Sequence, residues 1–342
     1  MKGAIIGFGV IAEGHLFAYN TIDELEIVAV LDISEARRNI AKSLIPGVRC
    51  YDSFDLLSEN EVLDFVDVCT PPYCRFDYMM RSLKKGINVI GEKPFLFTTK
   101  EYDELLKISI KNRTILYPSH NYKYAPVVRM TKEIVNDASF GEIINGHYKT
   151  YRIGHALGNA QWNKDWRRDA LYSGGGIIYD HGPHSIYMSC YFMNQWPTAV
   201  SCISCCSSDI YDTEDTAVLT LYFNNNVKID IFLTWVSSVR ETCYYIFGTK
   251  GSIQIEDDMI KQIDSDGREH VIRIESEFND PQHKSWFKGV LRDFYESMEN
   301  KEFRNDLLEE SYITIATIEA AMLSSKLGGA KIELNLPSQF AN

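Results

Sequence analysis

The stretch Lys2-Gly3-Ala4-Ile5-Ile6-Gly7-Phe8-Gly9-Val10-Ile11-Ala12 decides the fold of this chain. Its apolar run, Gly3–Ile6, is typical of a buried strand, and a helical segment follows Gly9. Gly7 permits a tight turn, Gly9 lets a ligand approach the backbone, and the small Ala12 lets the helix pack closely on the strand. The stretch therefore predicts a strand, a turn and a helix, with a turn that can hold a pyrophosphate.

A carboxylate follows the next predicted strand, at the position where a turn that binds a dinucleotide requires one. Asp32 ends the next predicted strand, Glu26–Leu31, and can accept hydrogen bonds from the hydroxyls of an adenine ribose. Its charge would repel a 2′-phosphate and the apolar Ile33 follows it, so the sequence favours NAD over NADP. Arg37 and Arg38 lie close enough in sequence to keep NADP open. Capping of the following helix, the structural alternative for Asp32, is compatible with ribose binding.

The first 118 residues alternate short β-branched runs with helix-length segments. The predicted strands are Gly3–Ile6, Glu26–Leu31, Arg49–Tyr51, Phe65–Cys69, Asn88–Ile90 and Thr114–Tyr117. Because parallel strands cannot be joined by tight hairpins, this alternation predicts a parallel sheet with crossover helices.

From about Glu142 the pattern changes to longer alternating strands. The predicted strands are Ile143–Ile153, Asp215–Phe223, Val227–Trp235, Cys243–Phe247 and Ser252–Glu256, and the predicted helices are Ala125–Asn136, Ile177–Phe192, His283–Glu299 and Leu307–Lys326. Asn224-Asn225-Asn226 and Asp264–Gly267 predict turns, since Asn and Gly tolerate left-handed backbone. The second half is therefore predicted to be built on a large, mostly antiparallel sheet with helices.

Composition limits the partners. A chain of 342 residues predicts about two domains. Its net charge of −12 provides no basic surface for nucleic acid or for an anionic membrane. No apolar stretch reaches the roughly 18 to 20 residues that cross a bilayer, and the first residues lead directly into a strand. We therefore expect a cytoplasmic protein without a leader.

The eight cysteines are predicted to be reduced packing residues. Cys202, Cys205 and Cys206 have a spacing that can hold a metal. However, they lie in a strand-like run, residues 199–207, and no second Cys or His pair of suitable spacing accompanies them. His181 and His184 also lack the context of a known metal motif. We therefore predict no metal site.

Further motifs extend the pattern along the chain. In chain order they are Thr70-Pro71-Pro72, Glu92-Lys93-Pro94, Gly174-Gly175-Gly176 with Asp180 and His184, Glu214-Asp215-Thr216 and Gly248-Thr249-Lys250-Gly251. Together with the glycine turn, they resemble the Gfo/Idh/MocA oxidoreductase family over nearly the whole chain. The combination is specific for the family and unspecific for the substrate.

The resemblance implies an α/β protein with a Rossmann domain over residues 1–118 and a C-terminal substrate-binding and oligomerisation domain over residues 119–342. It also implies a homodimer or homotetramer formed through the C-terminal sheet. By motif, Lys93, Asp180 and His184 are the catalytic residues that face the nicotinamide. The implied cofactor contacts are Gly7, Phe8, Gly9, Val10, Ile11, Ala12, Asp32, Thr70, Pro71, Pro72, Glu92, Lys93 and Asn121.

The chemistry of Lys93, Asp180 and His184 agrees with the catalytic roles that the resemblance implies. Oxidation of a secondary alcohol needs a base, and histidine has the unperturbed pKa nearest neutrality, so His184 is the predicted base. Lys93 follows a strand end, where it could hydrogen-bond the reacting oxygen or relay the proton. Asp180, four residues before His184, could share a helix face with it and orient the imidazole or a substrate hydroxyl. Pro183 interrupts that span and can alter this geometry.

The segment Trp162–Asp169 is dense in aromatic and charged residues, which suits a polyhydroxylated substrate. The predicted substrate contacts are Lys93, Lys123, Trp162, Trp166, Arg167, Asp180 and His184. Equally, Trp166 could fill the core and Arg167 could pair with an acid. The roles of Arg75, His155 and His181 stay open, although His181 is a second candidate base. An anionic substrate would need a local basic cluster, for which the sequence offers Arg75, Lys123, Arg167 and Arg168.

The sequence therefore predicts an NAD(P)-dependent oxidoreductase. It would move a hydride between a ring secondary alcohol of a sugar, cyclitol or nucleotide sugar and the nicotinamide. One alternative is an NAD-dependent glycosidase or lyase that oxidises its substrate only transiently. Another is a non-catalytic dinucleotide-binding regulator, against which the presence of all three catalytic residues argues.

Overall fold

The computed structural model describes residues 1–160, 162–207, 210–277, 283–301 and 304–336. Its first sheet has six strands: β1 (Lys2–Ile6), β2 (Glu26–Leu31), β3 (Arg49–Tyr51), β4 (Phe65–Val68), β5 (Asn88–Gly91) and β6 (Leu116–Pro118). All are parallel and pair in the order β3-β2-β1-β4-β5-β6. The intervening helices are α1 (Val10–Tyr19), α2 (Glu35–Leu44), α3 (Phe54–Asn60), α4 (Arg75–Lys84) and α5 (Thr99–Asn112). This strand order is that of a Rossmann domain.

The second sheet has nine strands. They are β7 (Ile143–Tyr151), β8 (Ala199–Cys205), β9 (Thr216–Tyr222), β10 (Lys228–Thr234), β11 (Glu241–Gly248), β12 (Ser252–Glu256), β13 (Met259–Ile263), β14 (Glu269–Arg273) and β15 (Ile332–Glu333). They pair in the order β14-β13-β12-β11-β7-β10-β9-β8-β15, and only β7 and β10 run parallel to each other. The fold class predicted from the sequence is therefore confirmed.

The remaining helices are α6 (Pro126–Asn136), α7 (Ala170–Ser173), α8 (Ile177–Asp180), α9 (Gly182–Met193), α10 (Lys284–Asn300) and α11 (Asn305–Lys326). Helices α9 and α11 pack on each other and share one hydrophobic core with strands of the second sheet. Helix α10 instead packs against α1, and its Phe287, Val290 and Phe294 join the core of the first sheet. The C-terminal half thus contributes a helix to the N-terminal core.

The prediction of one helix over Ile177–Phe192 is wrong. The chain forms α8, breaks at His181, and starts α9 at Gly182. Proline lacks a backbone N–H, so Pro183 is accommodated in the first turn of a helix rather than in its interior. The turn at Asn224–Asn226 is confirmed, with positive φ at Asn225 and Asn226. None of the helices within the described residues is long and apolar enough to span a membrane.

Candidate active site

One cleft of about 530 Å³ is lined by residues from both halves of the chain. The first sheet contributes the carboxyl ends of β1, β2, β4 and β5 with the loops that follow them. This edge is where open parallel sheets bind ligands. The second half contributes the loop after β7 and residues of α8 and α9.

Gly7 and Gly9 have different roles in the turn after β1. Gly7 has a φ of +85°, and a Cβ there would lie 2.8 Å from the Thr70 Cγ2 and 2.9 Å from the Thr70 backbone nitrogen. It is therefore required by both backbone conformation and close packing. A Cβ on Gly9 would meet nothing within 4 Å, so this residue opens onto the cleft. The turn thus leaves the space beside the start of α1 that a pyrophosphate needs.

Asp32 is held at the edge of this turn. Its Oδ2 accepts a hydrogen bond from the Phe8 backbone N–H (2.7 Å), and its Oδ1 accepts one from the Ser34 backbone N–H (2.8 Å). Arg37 donates to the Phe8 carbonyl and to Glu13, and Arg38 donates to the Asp32 carbonyl. Both arginines therefore hold the turn together.

The structure brings most of the predicted cofactor residues to the cleft. Those that line it are Gly7, Gly9, Val10, Ile11, Asp32, Thr70, Pro71, Glu92, Lys93 and Asn121. The side chains of Phe8 and Ala12 are fully buried in the core beneath the turn, and Pro72 begins a short 3₁₀ segment, Pro72–Cys74. These three residues shape the turns and do not line the cleft.

Lys93 and Asp180 meet in the cleft although they are far apart in sequence. The Lys93 Nζ donates to the Asp180 carbonyl (2.8 Å) and to its Oδ1 (3.1 Å), and the Arg167 Nε lies 3.5 Å from the same Oδ1. Burial acts to raise the pKa of the Asp180 carboxyl, but the positive charges of Lys93 and Arg167 hold it well below its usual range. Asp180 is therefore an anion that orients the Lys93 ammonium group.

A buried network supports the Glu92-Lys93 segment from below. Glu92 accepts the Lys93 backbone N–H at 3.0 Å, and its other oxygen lies 3.1 Å from the His15 Nε2. The His15 Nδ1 lies 2.7 Å from Asp67. Burial acts to lower the pKa of His15, but the neighbouring Asp67 and Cys69 raise it well above its usual value. His15 is thus a buried imidazolium between two carboxylates.

Helix α8 is positioned by Glu214. The Glu214 Oε1 accepts the backbone N–H groups of Gly176 (2.8 Å) and Ile178 (3.1 Å). A Cβ on Gly176 would lie 1.8 Å from the Glu214 carbonyl oxygen, so only glycine fits there. Glu214 therefore caps the helix whose last residue is Asp180.

His184 reaches the cleft from α9 and not from the helix of Asp180. Its Nδ1 lies 2.8 Å from the Tyr187 hydroxyl, which also accepts the Tyr122 backbone N–H at 3.2 Å. Burial and the nearby Lys93 and His181 hold the pKa of His184 well below 6.5, so the ring is neutral near pH 7. Tyr187, rather than Asp180, orients the imidazole.

His181 lies at the break between α8 and α9 and also lines the cleft. Its Nε2 lies 3.8 Å from the Asp180 Oδ2. Burial lowers the pKa of His181 to about 3, even though Asp180 acts in the opposite direction. His181 is therefore a second neutral imidazole in the cleft.

The aromatic segment after β7 forms one wall of the cleft. The Arg167 guanidinium lies 4.3 Å from the centre of the Trp166 ring, and its terminal nitrogen donates to the Ala156 carbonyl at 3.0 Å. Trp162 stacks on Tyr73 from the loop after β4, with the two planes 10° apart. This wall thus joins the two halves of the chain across the cleft.

Two basic residues singled out in the sequence are held by other groups of the protein. Lys123 donates to both carboxylate oxygens of the buried Glu310, each at 3.1 Å, and does not line the cleft. Arg75 is buried, and its guanidinium donates to the carbonyls of Thr70, Glu92 and Pro94. Arg75 thus ties two loops together at the wall of the cleft and is not a surface residue.

Two further basic residues of the predicted substrate side, His155 and Arg168, are also held by neighbouring side chains. His155 pairs with Asp165 at 3.1 Å, and neither residue lines the cleft. Arg168 is buried against the rings of Tyr211 and Trp235, and 3.8 Å from Asp215. Of the basic cluster proposed for an anionic substrate, Arg167 and Arg75 line the cleft, and the Arg75 guanidinium is bonded to loop carbonyls.

Three lining residues from distant segments were not predicted from the sequence: Arg152, Arg240 and His283. The ring of Tyr122 lies 4.1 Å from that of His184, and His283 stacks on Trp286 at 3.9 Å. Arg152 falls within the predicted strand Ile143–Ile153 and Arg240 precedes the predicted strand Cys243–Phe247. The pairing of these strands, which brings the two arginines together, comes from the structure.

Two family descriptions match the chain. Residues 1–120 match the oxidoreductase family with an NAD-binding Rossmann fold, and residues 128–254 match the GFO/IDH/MocA C-terminal domain. A 2,7-anhydro-N-acetylneuraminate hydratase from Mediterraneibacter gnavus is 25% identical over 301 residues, which are 84% of this chain and 78% of that protein. A scyllo-inositol 2-dehydrogenase (NADP(+)) from Bacillus subtilis is 22% identical, over 85% of this chain and 75% of its own.

A solved structure has the same fold. A levoglucosan dehydrogenase in complex with NADH and levoglucosan superimposes with a TM-score of 0.86 at 15% identity, covering 98% of this chain and 100% of that chain. At this identity the likeness shows the architecture of the two domains and nothing about the substrate.

Proposed function

This chain belongs to the Gfo/Idh/MocA oxidoreductase family, and we propose that it transfers a hydride between a ring secondary alcohol of a sugar or cyclitol and NAD. The predicted family, enzyme class and NAD-binding fold are confirmed by the family matches. One observation carries the finer proposal. Lys93, Asp180 and His184 come from three separate elements and converge in the cleft that also contains the glycine turn.

His184 acts as the base in this proposal. Its Nδ1 faces Tyr187, so Nε2 is the nitrogen that receives the hydroxyl proton. The ring proton must then reside on Nδ1 and be donated to the Tyr187 oxygen. NAD, when bound, accepts the hydride from the alcohol carbon or returns it to a ketone.

Lys93 stabilises the oxygen on which negative charge develops. Asp180 holds the ammonium group in place through its carbonyl and carboxylate. The charge of Lys93 also contributes to keeping His184 neutral, and therefore able to take a proton. The lysine thus supports both the electrostatic and the acid–base part of the reaction.

We propose NAD rather than NADP as the cofactor. Asp32 lies at the cleft with its carboxylate oriented by two backbone N–H groups. Arg37 is buried and bonded to Phe8 and Glu13, which removes it as a partner for a 2′-phosphate. Arg38 remains half-buried beside Asp32.

A polyhydroxylated substrate is supported by the wall of Trp162, Trp166 and Arg167. Its chemistry agrees with the scyllo-inositol named for the Bacillus subtilis dehydrogenase above. The hydratase relative favours a second candidate, transient oxidation followed by elimination or hydration. Both candidates use the same base and lysine, but only the first produces NADH in net amounts.

We also propose a homodimer or homotetramer formed through the second sheet. Ile203, Val218 and Phe232 lie side by side across β8, β9 and β10, and each is at least 38% exposed. Such an apolar row on an open sheet face is typical of an interface. None of the eight cysteines, all of which lie in the described residues, forms a disulfide, which supports our proposal of a reducing, cytoplasmic location.

The test is a screen of sugars and cyclitols, read by the absorbance of reduced nicotinamide. Wild-type protein should form NADH with a polyol, whereas His184→Ala and Lys93→Met should lose turnover and still bind NAD. His270→Ala, an exposed histidine outside the cleft, is the matched control and should behave like wild type. Full activity in either active-site variant would refute the assignment. Substrate conversion without net NADH would favour the transient-oxidation candidate.

A further inference from the structure

The substrate end of the cleft carries more positive than negative charge. Its charged lining consists of Lys93, Arg152, Arg167, Arg240 and Asp180. The other charged lining residues lie at the cofactor turn or support it: Asp32, Arg75 and Glu92. The described charged residues at this end of the cleft are therefore four cations and one carboxylate, in a chain whose net charge is −12.

Two of these cations stand together at one edge of the second sheet. Arg152 directly follows β7 and Arg240 directly precedes β11. These strands are antiparallel neighbours, and Tyr151 pairs with Glu241 in their register. The two arginines therefore extend from adjacent strand ends into the same cleft.

Arg152 is a buried cation whose protein partners are neutral. Only 6% of the residue is exposed, and its guanidinium donates to the carbonyls of Tyr151 and Glu241 and to the Thr242 hydroxyl, at 2.7 to 2.9 Å. Within the described ranges, no carboxylate forms an ion pair with it. Burying a charge is costly unless an opposite charge compensates it.

Among the residues that the structure describes, the neighbouring groups do not supply that opposite charge. Asp180 is already shared by Lys93 and Arg167. His181 and His184 are neutral near pH 7 because burial and the surrounding cations lower the pKa of each. The glycine turn that would hold the cofactor pyrophosphate belongs to the first sheet, whereas Arg152 ends a strand of the second.

From this uncompensated charge we infer that the substrate carries an oxyanion, a carboxylate or a phosphate ester, which Arg152 binds beside the reacting alcohol. The inference rests on the proposed function and names its substrate class. A planar guanidinium presents paired donors that match either oxyanion, and burial strengthens the attraction. Arg167 and Lys93 remain with Asp180 next to the reacting carbon. The enzyme would thus act on acidic or phosphorylated sugars in preference to neutral ones.

The test compares matched sugars with the full-length, NAD-saturated protein. The probes are D-glucose, D-glucuronate and D-glucose 6-phosphate, with D-galactose and D-galacturonate as a second pair. Calorimetry measures binding, and the absorbance of reduced nicotinamide measures turnover. We expect either the uronates or the sugar phosphate to bind at least about tenfold more tightly than the corresponding neutral sugar. A hydrogen-bonded ion pair contributes that much to the binding free energy. Preference for the uronates assigns a carboxylate, and preference for the phosphate assigns a phosphate ester.

Variants show whether Arg152 is the source of the preference. Arg152→Gln should weaken binding of the anion about tenfold and leave binding of the neutral sugar within about threefold, and Arg152→Lys should recover part of the loss. Arg268→Gln, which removes an exposed arginine on the β13–β14 turn, should change neither. The wild-type comparison stands even if Arg152→Gln does not fold.

Equal or absent binding of the anionic and neutral sugars by the wild-type protein would overturn the inference. Equal weakening of both by Arg152→Gln would overturn it as well. Arginine-dependent binding of the anion without any NADH would support the inference and count against the proposed dehydrogenase reaction.

Discussion

Lys93 and Lys123 provide a direct test of the site, because both are lysines paired with a carboxylate and similarly buried. The Lys93 side chain is 19% exposed and bonded to Asp180, and the Lys123 side chain is 15% exposed and bonded to Glu310. Only Lys93 lines the cleft. Substitution of each by methionine keeps the length of the side chain and removes the charge.

The two variants should fail in different ways. Loss of a positioned donor at a developing negative charge lowers kcat by about 10²- to 10³-fold, so Lys93→Met should lose activity by that factor. Its Kd for NAD should change by less than about threefold. Lys123→Met should keep kcat within about threefold, but its free energy of unfolding should fall by about 1–3 kcal/mol, because the buried Glu310 carboxylate loses the Lys123 ammonium group and keeps the His120 ring as its partner among the described side chains.

The pH dependence adds a second readout for Lys93. Its positive charge is one cause of the low pKa of His184. Removal of that charge should raise the pKa of His184 and move the acidic limb of kcat/KM to higher pH. Lys123→Met should leave this limb unchanged.

Steady-state NADH formation from pH 5 to 9, NAD titration by calorimetry and urea unfolding measure these quantities. Comparable loss of kcat in both variants would show that the lysines act only through stability. Retained kcat in Lys93→Met, with an unmoved acidic limb, would refute the role of Lys93 at the reacting oxygen.

Three further outcomes are expected. Tyr187→Phe should lower kcat about tenfold at unchanged Kd for NAD in steady-state and binding measurements, because the His184 Nδ1 loses its partner. In wild type, kcat should stay level as the pH falls from 8 to 6.5, since the neutral form of His184 persists below its usual pKa, and a loss centred near 6.5 in the pH–rate profile would contradict this. Gly7→Ala should weaken NAD binding at least about tenfold in a titration, because its Cβ would meet Thr70 and its φ is positive. Gly47→Ala, with a positive φ and no neighbour within 4 Å, is its control and should bind NAD normally.

The cofactor end of the site could be predicted because its residues are local in sequence. Gly7 and Gly9 lie in one turn, and a strand, turn and helix in succession place them beside the carboxyl end of β1. Asp32 follows from the same reasoning one strand later. The right-handed connection of parallel strands then leaves little freedom in where these residues lie.

The substrate end could be predicted only in part. Motif resemblance identified Lys93, Asp180 and His184, but the expected pairing of Asp180 with His184 does not occur, because the chain breaks between α8 and α9. Lys123 and Arg75 resembled ligand-binding cations in sequence. Their actual partners, Glu310 and the carbonyls of two loops, lie on segments that no local pattern connects to them.

The sequence by itself therefore determined the fold class, the strand–turn–helix unit that begins the chain and the family, and it predicted the catalytic side chains. Tertiary structure alone decided which charges face the cleft and which are neutralised elsewhere, since that depends on contacts between residues as distant as Lys93 and Asp180. It also decided the protonation of His184 and the isolation of the Arg152 charge. Both follow from burial, which removes water from a charged group and exists only when the two halves of the chain have packed together.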